Sequence, residues 1–120
     1  MPQFEKRLYP QVTGHGEVNN DASSLTVIAA QHPGYYLYLD KLQVSVVEAA
    51  SGGGGQCVIQ DTEGGEYYKF NVDGVKDITI DYGLKGAKVT TKNAEIQAVL
   101  SGAATQATVY VVASGHYSKE

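Results

Sequence analysis

Three aspartates recur at intervals of four residues, at Asp73, Asp77 and Asp81, and carboxylates are the ligands that calcium and magnesium prefer. On an extended strand, side chains four residues apart lie on one face, about 13 Å from one another at ~3.3 Å per residue. That separation exceeds the coordination shell of one cation, whose ligands stand about 2.4 Å from the metal. We therefore expect a solvated acidic face, and calcium binding through loops, with Asp40 or Asp61, is the alternative.

The other side chains that could bind a metal or act in catalysis stand apart from one another. His15, His32 and His116 are distant in sequence, and no HxxxH or CxxC spacing marks a zinc site. In a symmetric oligomer one histidine per subunit could meet its copies on the axis, and His116 is the best candidate for that. No serine stands in a GxSxG turn, and Cys57, in the apolar run QCVIQ, is expected to be a buried and inert thiol. We therefore predict no catalytic residue, no cofactor and no metal site, and that the chain is not an enzyme.

A group of three tyrosines, Tyr35, Tyr36 and Tyr38, opens the longest extended run of the chain. Alternation sends Tyr36 and Tyr38 to one face of a strand and Tyr35 to the other. They could pack in the core with their hydroxyls at the rim, or form a patch that contacts a protein or a glycan, because tyrosine offers a large rigid area with a polar tip. Sugar-binding surfaces usually add tryptophan, which is absent here. Tyr35 and Tyr36 are therefore predicted to contact a protein partner.

Composition and charge exclude several classes of function. With 120 residues the chain is long enough for one domain and too short for two ordinary ones. Its net charge of −4, its pI near 5.3 and its scattered Lys and Arg residues argue against a nucleic-acid partner. No apolar run approaches the ~20 residues of a membrane span, and the first residues, MPQFEKRLYP, lack the apolar segment of a secretory signal. We expect a protein made and used without export, with no membrane partner.

Short runs that alternate apolar and polar residues are separated by Gly, Asn or Ser every eight to twelve residues. This spacing is typical of an antiparallel all-β sandwich or barrel. A count of about eight strands favours a two-sheet jelly-roll-like sandwich, with an immunoglobulin-like sandwich as the nearest alternative. The predicted strands cover residues 24–30, 35–49, 56–61, 66–72, 75–82, 87–91, 94–101 and 105–113.

Two of these runs carry further information. In the longest run the buried parity changes between Leu39 and Leu42, which predicts a β-bulge near Asp40 and Lys41. The segment NAEIQAVLSGAA also fits a helical face. We interpret it as a strand, because a lone helix among alternating strands would need its own cover.

The first 23 residues look irregular, because Pro, Gly and Asn interrupt any periodicity. We therefore divide the chain into an extended N-terminal arm, residues 1–23, and a β-sandwich domain, residues 24–120. Within the arm, Phe4, Leu8 and Tyr9 are apolar. They could fold back onto the sheet of their own domain, or reach a neighbouring subunit or partner, since an extended segment can add to a sheet edge. They are candidate protein-interface residues.

The segments FNVDGVKDITIDYG and AEIQAVLSGAATQATVYVVASGHY resemble small virion proteins of tailed bacteriophages. The resemblance extends over residues 35–117 and is to jelly-roll decoration (cement) proteins. It implies a non-enzymatic protein that binds the surface of the phage head as a homotrimer and stabilises the shell. The implied partner is the major capsid protein, and the implied location is the virion, assembled in the host cytoplasm.

Three alternatives remain open from the sequence. The chain could be the receptor-binding tip of a phage tail or head fibre, which uses the same fold. It could be a carbohydrate-binding β-sandwich module, and an enzyme is the least favoured possibility. Copy number in purified particles separates the decoration protein from the fibre tip, and glycan binding identifies the module.

Overall fold

The computed structural model describes residues 11–19, 23–49, 55–101 and 107–120. The described residues form nine β-strands, and none of them belongs to a helix long and apolar enough to cross a membrane. The strands are β1 (Gln11–Val18), β2 (Ser24–Ile28), β3 (Tyr36–Glu48), β4 (Gln56–Asp61), β5 (Glu66–Asn71), β6 (Lys76–Asp81), β7 (Ala87–Lys92), β8 (Ile96–Ser101) and β9 (Thr108–Ser118).

The strands pair in a nested, fully antiparallel order. The β4–β5 hairpin is innermost, β3 pairs with β6 and β7, β2 pairs with β8, and β1 pairs with β9. This long ribbon is rolled into a five-stranded sheet, ordered β1-β9-β3-β6 with β7 also on β3, and a four-stranded sheet, ordered β2-β8-β4-β5. Two sheets of this nested strand order form a jelly roll. The prediction of an all-β, two-sheet jelly-roll-like sandwich is confirmed.

The core lies between the two sheets and is built by alternation along each strand. On β3, Leu42, Val44 and Val46 are fully buried while the residues between them face outward. From the opposite sheet, Ile96 and Leu100 of β8 enter the same core. The segment with helical character is therefore a strand, as interpreted, because its period-two pattern fits the neighbouring strands on both sides.

The predicted bulge in β3 is confirmed. The pairing of β3 with β9 shifts between Leu39 and Lys41, so that Asp40 is the extra residue. The bulge preserves burial of Leu39 before it and Leu42 after it, although the two residues have opposite parity. The same point divides the edge of the sheet, because β7 pairs with β3 before the bulge and β6 pairs with it after the bulge.

The division of the chain at residue 23 is wrong for residues 11–18. These residues form β1, which pairs along its whole length with β9 at the edge of the five-stranded sheet. Gly14 and Gly16 suggested an irregular segment, but both lie inside the strand. A Cβ atom on Gly14 would lie 1.8 Å from the carbonyl oxygen of Val27, and one on Gly16 would lie 2.4 Å from a methyl carbon of Leu25. Glycine is required at position 14, where the β2 backbone approaches closely, whereas the Leu25 side chain could move away from a side chain at position 16.

The last strand also extends beyond its predicted end, from Thr108 to Ser118. It passes through Gly115, where a Cβ atom would lie 2.4 Å from the carbonyl oxygen of Tyr38 on β3. The predicted interface residues Phe4, Leu8 and Tyr9 lie outside the described residues, as do residues 50–54 and 102–106.

Candidate interaction surface

The outward face of the five-stranded sheet is organised in rows that cross four strands. The register places Glu17, Tyr110, Ser45 and Asp77 in one row. Cross-strand neighbours of this kind have Cβ atoms about 4.5–5.5 Å apart. The rows therefore hold side chains from β1, β9, β3 and β6 side by side on one rigid surface. The next row consists of His15, Val112, Gln43 and Thr79.

Three apolar side chains of this face are exposed, and we call them the apolar patch: Val47, Tyr110 and Val112. Tyr110 is 50% exposed, Val47 44% and Val112 38%. They share the face because each alternates with a buried core residue on β3 or β9. Glu17 on β1 and Asp77 on β6 flank the patch at either end of its row, and we call these two the acidic flanks.

The acidic flanks are held in place by neighbouring side chains. The Ser45 hydroxyl donates a hydrogen bond to Asp77 across the β3–β6 pair. The Asn19 side-chain amide donates to Glu17 at 3.3 Å. The apolar patch therefore lies between two carboxylates whose positions are restrained.

At the opposite end of β3, the same face carries a group that we call the lysine cluster: Tyr36, Lys88 and Lys92. The Lys88 ammonium nitrogen lies 4.1 Å from the centroid of the Tyr36 ring, and that of Lys92 lies 5.6 Å from it. Both distances are within the range of a cation–π contact, about 6 Å. The β3–β7 pairing places Lys92 opposite Tyr36 and Lys88 opposite Tyr38. Both ammonium groups therefore lie near the ring of Tyr36.

Between these two ends, a polar pair of the buried His116 and the partly buried Asp40 stabilises the bulge. Nδ1 of His116 lies 2.9 and 3.0 Å from the two carboxylate oxygens of Asp40. The His116 ring stacks on Tyr38 with 5.3 Å between ring centroids and an interplanar angle of 12°. The Tyr82 amide donates to the carbonyl oxygen of Asp40 at 3.0 Å, which ties the bulge to the end of β6. His116 lies on the outward side of β9, beside Tyr38, but is only 8% exposed, so little of its ring is available to meet its copies.

A cleft of about 420 Å³ opens beside this bulge. Its charged lining residues are Asp40, Lys41 and Asp81, with Ser114 opposite Lys41. Its carboxylates already have hydrogen-bond donors in the protein, because Asp40 binds His116 and Asp81 accepts a 2.8 Å hydrogen bond from the Gly83 amide. The cleft follows from the break between β6 and β7.

The aspartates that could have bound a cation are distributed as follows. Asp77 and Asp81 lie on the outward face of β6, opposite Ser45 and Lys41, and Asp73 lies in the exposed turn before that strand. In the part of the chain that the structure describes, no group of three His, Cys, Asp or Glu residues is arranged to hold a metal ion.

Asp61 has a structural role at the end of β4. It is 1% exposed, and its carboxylate accepts hydrogen bonds from the Glu63 amide at 2.8 Å, the Gly65 amide at 2.9 Å and the Tyr67 hydroxyl at 2.6 Å. Burial on its own would raise the pKa of Asp61, but these hydrogen bonds together outweigh it and lower the pKa below the ordinary value. For Tyr67, burial and the adjacent Asp61 carboxylate raise the hydroxyl pKa. Asp61 therefore organises the β4–β5 turn.

The remaining predicted residues take ordinary structural positions. Cys57 is fully buried, as predicted, and burial raises the pKa of its thiol to about 12. His15 is exposed on β1, opposite Val112, while the His32 ring packs at 4.6 Å from the ring of Tyr117. The structure does not bring the three histidines to one strand pair.

The predicted interface tyrosines lie on opposite faces, as alternation required. Tyr35 is half-buried against the core, with its ring centroid 5.1 Å from that of His32. Tyr36 is half-buried on the outward face, in the lysine cluster. Their contact with a partner stays a prediction.

Sequence reasoning missed the apolar patch and the lysine cluster. A signal for the patch was present, because the run TVYVVA on β9 is apolar at both parities, although only one parity faces the core. A strand that is apolar on both faces indicates a second buried or docking surface. Nothing local signals the lysine cluster, since its residues meet only through the β3–β7 pairing.

Comparisons with known proteins show what the chain is similar to. No family model matches it, and no curated protein matches it. Among solved structures, it is similar to the cryo-EM structure of a virus-like particle of extra small virus of the giant freshwater prawn Macrobrachium rosenbergii. That match has 10% identity and a TM-score of 0.40 and covers 89% of this chain and 79% of that chain. The crystal structure of the Yersinia pseudotuberculosis-derived mitogen matches with 10% identity and a TM-score of 0.38, covering 89% of this chain and 86% of that chain. The jelly-roll assignment depends on the strand order and register.

Proposed function

We propose that this chain is a non-enzymatic capsid decoration (cement) protein of a tailed bacteriophage. It assembles as a homotrimer, binds the major capsid protein on the head surface and stabilises the shell. The observation that carries the proposal is the apolar patch on the outward face of the five-stranded sheet, flanked by two carboxylates. The resemblance of residues 35–117 to jelly-roll decoration proteins gives the patch its biological context.

The patch has the properties of a protein-docking surface. Tyr110 and Val112 lie on β9, which is paired on both sides within the sheet, so they have little conformational freedom to lose on binding. An aromatic residue with aliphatic neighbours and charges at the margin matches the core and rim of a protein interface. We assign the patch to contacts between copies of the chain.

Contact with the shell is assigned to the segment before β1. Its apolar residues Phe4, Leu8 and Tyr9 lie outside the described residues, and they remain the predicted contacts with the major capsid protein. The first described residue of β1, Gln11, lies opposite His116, at the end of the sheet that carries the lysine cluster on β3 and β7. The apolar patch lies towards the other end of the sheet.

The stabilising mechanism is mass action. A protein that binds the assembled shell and not its separated subunits shifts the equilibrium towards the assembled state. A trimer increases this effect because several arms attached to one body bind together with a high effective concentration. The proposed mechanism makes and breaks no covalent bond.

The test uses capsids assembled from the major capsid protein encoded in the same genome. We expect the purified chain to co-sediment with them to saturation, at a copy number comparable with that of the capsid protein, and to raise their melting temperature. An unrelated acidic protein of similar size is the control. Absence of the chain from the capsid pellet contradicts the proposal. Few copies per particle with binding to host envelopes identifies a fibre tip, and glycan binding without capsid binding identifies a carbohydrate-binding module.

A further inference from the structure

The lysine cluster concentrates positive charge at one end of the five-stranded sheet. The Lys88 and Lys92 side chains belong to exposed residues, and both ammonium groups converge on the Tyr36 ring. Among the residues that the structure describes, neither ammonium forms an ion pair with a carboxylate, and the ion pair found there joins His116 and Asp40. Two cations on one ring, in a chain of net charge −4, form a site suited to carboxylates.

The other end of the same face has the complementary chemistry. Glu17 and Asp77 flank the apolar patch, and Glu48 is exposed at the end of β3. Lys76 is the nearby cation on β6. It pairs with the buried Val46, however, and therefore lies on the opposite face of the sheet from Asp77. The outward face thus has an acidic and apolar end, and an aromatic end with two lysines, where the Tyr38 hydroxyl donates to an oxygen of Glu120.

Within one subunit these two ends cannot neutralise each other. Ser45, in the row of the acidic flanks, lies nine residues along β3 from Tyr36, which is about 30 Å at ~3.3 Å per residue. Charges are screened over about 8 Å at physiological ionic strength. Complementary charges at this separation act between molecules rather than within one.

We propose that the lysine cluster of one copy is the docking site for the acidic flanks of the apolar patch on a second copy of this chain. Lys88 and Lys92 pair with the Glu17 and Asp77 carboxylates, while the Tyr36 ring packs against Tyr110 and Val112. Each copy has one lysine cluster and one apolar patch with its acidic flanks, so the contact is head-to-tail. Repeating it forms a closed ring when the rotation between neighbouring copies allows. The inference rests on the proposed homotrimer and names its subunit contact.

The experiment reverses the charge of each end of the face separately and then of both ends together. Light scattering measures the molar mass of each variant as a function of concentration. We expect Lys88→Glu with Lys92→Glu to raise the concentration at which the trimer dissociates by about tenfold or more, because repulsion replaces attraction at both positions. Glu17→Lys with Asp77→Lys should do the same. The fourfold variant that combines all of these has the net charge of the natural chain and should restore the trimer.

The matched control reverses two exposed lysines elsewhere, Lys69 on the four-stranded sheet and Lys85 in the β6–β7 turn. Lys69→Glu with Lys85→Glu changes net charge as much as the lysine-cluster variant and should leave the mass unchanged. Thermal unfolding confirms that each variant is folded. If either end can be reversed with no more effect than the control, or the fourfold variant stays dissociated, the proposed contact is wrong. Capsid co-sedimentation of the natural chain tests the decoration role independently of that result.

Discussion

Replacement of Asp61 tests whether one buried carboxylate organises the central hairpin of the ribbon. Asp61→Ala removes the acceptor for three hydrogen bonds, from two turn amides and from Tyr67. A hydrogen bond to a charged group contributes about 1.5–3 kcal/mol, and the amides of the exposed turn recover part of theirs from water. With about 1 kcal/mol for each amide and ~1.5 kcal/mol for the half-buried hydroxyl, we expect a loss of about 3.5 kcal/mol.

A loss of that size is large for a domain whose total stability is typically 5–15 kcal/mol. At about 4 °C per kcal/mol for a chain of this length, the melting temperature should fall by roughly 14 °C. Urea unfolding followed by circular dichroism measures the free energy directly. Asp73→Ala, in the exposed turn before β6, is the matched control and should change stability by less than about 0.5 kcal/mol.

The charge of Asp61 adds a pH dependence with a defined sign. Because the folded-state pKa is lower than the ordinary value of 3.8, the carboxylate stabilises the fold above pH 3.8, and this contribution is lost as the pH falls through the folded pKa. The difference in the free energy of unfolding between the natural chain and Asp61→Asn should therefore be greatest at neutral pH and should decrease in acid. If Asp61→Ala is as stable as Asp73→Ala, or the difference grows in acid, the assigned role of Asp61 is wrong.

Three further predictions concern the strand at the edge, the thiol and the N-terminal segment. Gly14→Ala should destabilise the chain by about 3 kcal/mol in urea unfolding, because the added Cβ would overlap a β2 carbonyl. Gly74→Ala is the control and should have little effect, because the space around Gly74 is open. Equal effects of the two substitutions would contradict the close approach of β1 and β2. Cys57 should react with a thiol reagent only on unfolding, since it is buried with a pKa of about 12, and rapid labelling of the folded protein would show that the thiol is accessible. Deletion of residues 1–10 should leave the fold intact, since β1 begins at Gln11, and weaken co-sedimentation with capsids; loss of folding would instead assign those residues to the core of the domain.

The sequence predicted most of the sandwich because burial alternates with period two along the strands. The bulge at Asp40 was predictable for the same reason, since Leu39 and Leu42 have opposite parity and both must face the core. β1 was not predictable from its own residues. Gly14 normally weakens a strand, and the need for it comes from the backbone of β2, which a local pattern does not reveal.

The candidate surface was less predictable than the fold because it depends on pairing between distant strands. Tyr36 was singled out from the sequence, but its lysine neighbours come from β7 and are brought to it by the register of an adjacent strand. Asp61 stood in an evident turn sequence, DTEGG, yet its burial depends on the Tyr67 side chain reaching back across the hairpin. Val112 carried a usable signal, because it is an apolar residue at the outward parity of β9.

The most direct test of the account is the molar mass of the natural chain in solution, measured by light scattering over a wide concentration range. The chain has a mass of 12.8 kDa, and the account predicts a species of three times that mass that dissociates on dilution or at high salt. A monomer that persists at the highest concentrations would contradict assembly through the outward face of the five-stranded sheet.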